Sequence, residues 1–158
     1  MASYYRRKAI VKDVITKLKT ISTANGFLTN MGAQVKYYHL QTIDPDKQTM
    51  LCDVQDKVLR SYEKQYVEKI IFEFKLGAAT KDTTKDTLDD MVYDIEDCLN
   101  ENLQFFKTKY GQFEYIIVDG DEPVLERSEK IYGEASVIVE VRHYIDPKYQ
   151  FDERTYEV

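Results

Sequence analysis

Two cysteines, two histidines and six glycines leave this chain little material for several kinds of chemistry. Cys52 and Cys98 stand apart from each other and from His39 and His143. No CxxC, HxxxH or HExxH spacing occurs, so the ligand patterns of zinc sites are missing. Both cysteines read as small apolar fillers. The six glycines build no phosphate-cradling loop, and no Ser-His-Asp or Cys-His arrangement stands at a credible spacing. Apolar runs never exceed a few residues, which excludes a transmembrane helix. Residues 1–8 are basic, but no apolar stretch follows them, so a secretory leader is not expected. Lys and Arg number 22 against 28 Asp and Glu, a net charge of −6. The resulting pI of about 5.0 opposes a general affinity for nucleic-acid phosphates.

What the chain does have is a globular composition, 43% hydrophobic and 32% charged. Its 158 residues fit one domain over 1–158. A chain of that length buries roughly 70% of its unfolded surface, enough for a core without metals or disulfides.

Order along the chain says more than composition. Ile10, Val14, Leu18 and Ile21 recur at helical spacing, with Val11 and Ile15 widening the stripe, and predict a helix over residues 5–24. Asn25-Gly26 supplies the left-handed stop. From Phe27 the period changes to two. Val35, Tyr37 and His39 suggest a strand entering the turn Asp44-Pro45-Asp46, and residues 50–54 form a weaker candidate. Ile70, Phe72, Phe74 and Leu76 alternate with Lys69, Ile71, Glu73 and Lys75 in a much clearer strand. Residues 56–65 between these two read as a polar, mobile hairpin loop.

A second helix is expected over residues 86–106 from the stripe Leu88, Val92, Ile95, Leu99 and Leu103. Two strands follow, over residues 113–118 and 135–142, with a turn at Asp119-Gly120-Asp121 between them. Residues 146–158 are polar and aromatic without a period, and read as an extended tail. The expected fold class is therefore α+β: a single, mostly antiparallel sheet of four to five strands with two helices packed on one face.

Ile10-Val11-Lys12-Asp13-Val14-Ile15, the helix-ending Ala24-Asn25-Gly26-Phe27, and Val35-Lys36-Tyr37-Tyr38-His39-Leu40 before a proline-containing turn carry a resemblance. So do Asp94-Ile95 in the second helix and the closing strand from Val137 to Tyr144. Over residues 5–145 the chain resembles the tail terminator (tail completion) proteins of long-tailed bacteriophages. The resemblance implies a virion protein of the tail neck, made in the host cytoplasm. It implies a ring of copies of itself, usually six, that caps the tail tube protein, ends tube polymerisation and presents a surface to head completion or neck proteins. It implies no cofactor, no metal, no reaction and no membrane, with genomic DNA passing through the lumen without specific binding.

The charge pattern supplies physical content for such a ring, whose contacts join one patch to a different patch on the next subunit. Residues 1–19 hold the bases Arg6, Arg7, Lys8, Lys12, Lys17 and Lys19 against the single acid Asp13. Residues 82–101 hold eight acids, among them Asp89, Asp90, Asp94 and Asp97, against the single base Lys85. Opposed patches steer encounter and fix orientation; an acidic lumen wall would also repel DNA phosphate. The simpler reading of each run is the solvated side of an amphipathic helix. Thirteen tyrosines suit interfaces, where a large ring is buried and a hydroxyl stays wet. Tyr4, Tyr5, Tyr149, Phe151 and Tyr156, near the chain ends, are the expected interface aromatics, and Arg60 and Tyr62 in the 56–65 segment are expected to dock on the tube or a head protein.

Two alternatives remain open from sequence: a head-closure or other neck adaptor, and a Mg²⁺-dependent nuclease. The second would use carboxylates such as Asp89, Asp90, Asp94 and Asp97 on one helix, or Asp119, Asp121 and Glu122 in one turn.

Overall fold

The computed structural model describes residues 3–38, 49–60, 67–79, 84–111, 113–120, 124–127 and 131–144. Helix α1 spans Ser3–Leu18, followed by 3₁₀ turns at Thr23–Asn25 and Met31–Gln34. Strands β1 (Val35–Tyr37), β2 (Met50–Arg60) and β3 (Val67–Ala78) precede helix α2 (Thr84–Tyr110). Strands β4 (Phe113–Gly120), β5 (Val124–Arg127) and β6 (Ile131–Tyr144) complete the order. They form one sheet in the order β1-β2-β3-β6-β4, with the short β5 also paired to β6. Among the described residues only the β1–β2 pair is parallel. The α+β architecture expected from the alternating and helical periods is the one observed.

Period-two alternation determines what the sheet buries. Ile70, Phe72, Phe74 and Leu76 of β3 face the helices and are 2% exposed or less. In register beside them stand Val54, Cys52 and the β6 residues Val137, Val139 and Val141. Burying a Phe, Val or Ile side chain is worth roughly 1.5–3 kcal/mol, so each of these positions contributes on that scale. Helix α1 contributes Ile10, Val14 and Leu18, and α2 contributes Leu88, Met91, Ile95 and Phe106. Phe106 and Phe113 stack with centroids 4.8 Å apart, closing the core where α2 passes into β4. Glu73, Lys75, Glu140 and Arg142 lie on the opposite face, which carries charge ladders such as Arg142–Glu140 at 2.7 Å.

Boundaries differ from the sequence expectation at several places, three of them in the segments read as a helix end, a loop and a turn. Helix α1 ends at Leu18 rather than at residue 24. Past Leu18, side chains compete for the backbone: Asn25 Nδ2 donates to Thr20 O at 2.7 Å, and the Thr23 N–H donates to Asn30 Oδ1 at 2.9 Å. Gly26, at φ 90°, therefore caps the short 3₁₀ turn and not the helix. Residues 56–60, expected as the start of a mobile loop, continue β2 in unbroken register with β3. Residues 61–65 lie outside the described residues. Asp119 and Gly120, expected in a turn, extend β4 past a register shift between Ile117 and Asp119. No helix among the described residues is long and apolar enough to cross a membrane.

Candidate assembly surfaces

Helix α1 packs over β1 and α2 over β3, β6 and β4, with the two helices in contact. The basic helix therefore lies toward one edge of the sheet and the acidic helix toward the other. Within its span α1 carries the bases Arg6, Arg7, Lys8, Lys12 and Lys17 against Asp13. Helix α2 carries seven acids against three bases. Among the described residues, the two helices thus carry net charge of opposite sign.

Not every charge in those runs faces water. Lys8 and Lys12 are exposed on α1. Arg6 and Arg7 are half-buried and work within the fold. The Arg6 guanidinium lies 5.8 Å from the centroid of the Tyr110 ring, a cation–π contact. Arg7 Nη1 stands 3.6 Å from Asp56 Oδ2. Asp13, the lone acid of the basic run, accepts from Lys109 Nζ at 2.7 Å and from the Tyr110 hydroxyl. Burial and that carboxylate hold the Tyr110 phenol protonated well above the usual tyrosine range.

On α2, Asp97 is exposed and Asp89 and Asp90 are half-buried. Asp94 departs from the expectation of a surface carboxylate: it is 0% exposed. Its Oδ1 accepts from the Leu28 N–H at 2.9 Å, and its Oδ2 accepts from the Thr29 N–H at 2.8 Å and the Thr29 hydroxyl at 2.6 Å. Asp94 is a clasp between α2 and the segment entering β1, removed from any partner by its own fold. Helical spacing puts Asp90, Asp94 and Asp97 near one another, but it does not reveal that the middle one turns inward. Among the described residues no three His, Cys, Asp or Glu side chains are placed to hold a metal ion together.

Tyr4 and Tyr5 fall at the start of α1, and Arg60 at the end of β2, described for their backbone alone. Tyr62, Tyr149, Phe151 and Tyr156, with the 146–158 tail, lie outside the described residues. Among the described residues, the prominent exposed aromatics are Tyr93 at 58% in the acidic stripe, with Tyr37 at 50% and Tyr38 at 42% beside β2. Tyr93 sits four residues from both Asp89 and Asp97, so the acidic face has a large amphipathic ring at its middle.

Sequence reasoning also missed a polar centre at the end of the sheet. Glu68 and His143 are cross-strand partners, both 0% exposed, with His143 Nε2 3.0 Å from Glu68 Oε1. The signal was legible: Glu68 continues the inward alternation 70-72-74-76, and His143 continues 135-137-139-141. At the end of β1, the Tyr37 hydroxyl donates to Asp56 Oδ1, and the Tyr38 hydroxyl donates to the Asp56 carbonyl while accepting from its N–H at 3.0 Å. Burial and the Asp56 carboxylate raise the Tyr37 pKa above its ordinary value.

Both cysteine thiols are buried. Burial pushes Cys52 up to about 12 and Cys98 up to about 11. Cys98 Sγ instead donates to the Lys17 carbonyl at 3.3 Å, tying α2 to the last turn of α1.

No protein-family model matches the chain, and no curated protein matches it in sequence.

Proposed function

We propose that this protein is a structural component of a phage virion, a ring-forming cap that ends tail-tube polymerisation and receives the neck proteins. The observation carrying this reading is the placement of a basic helix toward one edge of the sheet and an acidic helix toward the other. Opposite charge on different patches favours a head-to-tail contact, which closes into a ring when the rotation between subunits permits. The resemblance in element order to tail terminators supplies the cylinder on which such a ring would sit. The exposed carboxylates Asp86, Asp97 and Glu101 suit a lumen through which DNA slides, because they repel phosphate.

Reversing Lys8 and Lys12 together to glutamate tests the electrostatic part. Both side chains are exposed, so the melting temperature is expected to stay within a few degrees of the parent's. Incorporation into tails at physiological salt is expected to fall about tenfold, with a weaker salt dependence than the parent's. Unchanged incorporation would remove the charge-guided contact.

A further inference from the structure

We infer that the outer edge of β4 in one copy docks on the stretch of β2 beyond β1 in the next, so that the sheet continues from subunit to subunit. This rests on the self-assembly reading above and specifies its contact.

Strand β4 is eight residues long and, among the described residues, pairs only with β6. Exposed edges are normally blunted by proline, lysine or very short length. The sequence of β4 has no proline and no lysine, and it leaves Ile116 43% and Ile117 40% exposed. Its regular part runs from Phe113 to Ile117, before the register shift, about 17 Å of strand.

At the other side of the sheet, β1 covers only Cys52, Asp53 and Val54 of β2. Tyr38 then leaves the strand at φ 51°, a left-handed conformation that costs about 1–2 kcal/mol in a residue with a side chain. Its hydroxyl serves the main-chain N–H and C=O of Asp56 in place of a strand. Beyond that plug, residues 57–60 of β2 are paired among the described residues only to β3. Four such residues span about 13 Å, a length that the regular part of β4 can cover.

Charge selects this pairing over the symmetric ones. Glu114 is exposed on β4 and the acidic α2 packs above that side. Lys57 is exposed on β2 and the basic α1 lies above β1. Two β4 edges would bring acidic helices together, and two β2 edges would bring basic ones together; like-charge juxtaposition opposes both. Glu114 and Lys57 also lie on the same, helix-free face. Glu114 is in line with Arg142 and Lys69, and Lys57 with Ile71 and Glu140. Joining the sheets with matched faces keeps every helix on one side of the assembly.

The test uses the full-length chain with Lys57→Cys, Glu114→Cys, or both, under mild oxidation, over a concentration series and in assembled particles. Cys52 and Cys98 are 0% exposed and do not compete. The expected result is that neither single variant links to itself. An equimolar mixture of the two is expected to stop at a dimer, at least tenfold more abundant than either homodimer, and the double variant to give a ladder. Homodimers of Glu114→Cys would overturn the inference in favour of a symmetric β4 contact. Absence of any link in chains that sediment as oligomers would place the contact elsewhere and leave self-assembly standing. A chain that stays monomeric at every concentration and never joins particles would sink both.

Discussion

Replacing Asp94 by alanine is expected to destabilise the protein by about 4 kcal/mol. Three donors converge on this carboxylate. Its removal leaves the buried Thr29 N–H and hydroxyl without their acceptor, at about 1–3 kcal/mol for each buried group left unsatisfied, while the Leu28 N–H, on a residue 56% exposed, turns to water. At Thr29 water does not easily compensate, because Asp94 is 0% exposed and Thr29 is 7% exposed. Asp94→Asn preserves volume but points an amide donor at groups that are themselves donors, so it is expected to recover less than half of the loss. Urea unfolding gives the free energies, and hydrogen exchange at Leu28 and Thr29 locates them. A loss below about 1 kcal/mol for the alanine variant would mean that the clasp does not hold in solution.

Gly32→Ala is expected to cost about 3 kcal/mol, toward the upper end for inserting atoms into a packed site. A β-carbon there would lie 2.5 Å from both the Ile21 and the Lys19 carbonyl oxygens, and 2.8 Å from the Lys19 carbonyl carbon. These are main-chain atoms, so no rotamer change relieves the clash. The Gly32 N–H donates to the Ile21 carbonyl at 3.0 Å, and that close approach is what demands glycine. Gly26→Ala offers a control of a different kind. Its φ is 90° with open space around it, so only the left-handed penalty of about 1–2 kcal/mol applies. Thermal unfolding should rank Gly32→Ala well below Gly26→Ala; the reverse order would contradict the packing described for residues 19–34.

Much of the fold was written in two periods. The stripe Ile10, Val14 and Leu18 and the alternation from Ile70 to Leu76 are wholly apolar on one face, so burial leaves each a single orientation. Residues 56–60 misled because their side chains are mostly charged, and polarity resembles a loop. What keeps them in the sheet is long-range: Arg7 and the β1-end tyrosines engage Asp56, and β3 pairs with the strand throughout. The helix end at Leu18 depended on side-chain competition between Thr20, Asn25 and Asn30, contacts that periodicity does not register.

The candidate surfaces were legible as charge and illegible as placement. Lys8, Lys12 and Asp97 are exposed, as the helical reading of those runs expects, whereas Asp94 at the same spacing turns inward. The difference lies in residues 28–29, more than sixty positions away. Which edge each charged helix accompanies follows from strand order, and the crossing of β6 between β3 and β4 has no local signature.

The most direct measurement is negative-stain imaging of virions assembled without this chain. If the protein caps the tube as proposed, tubes longer than normal, or full heads lacking attached tails, are expected. Lysates containing heads and no tubes of any length would contradict that role, because a cap acts only after the cylinder exists.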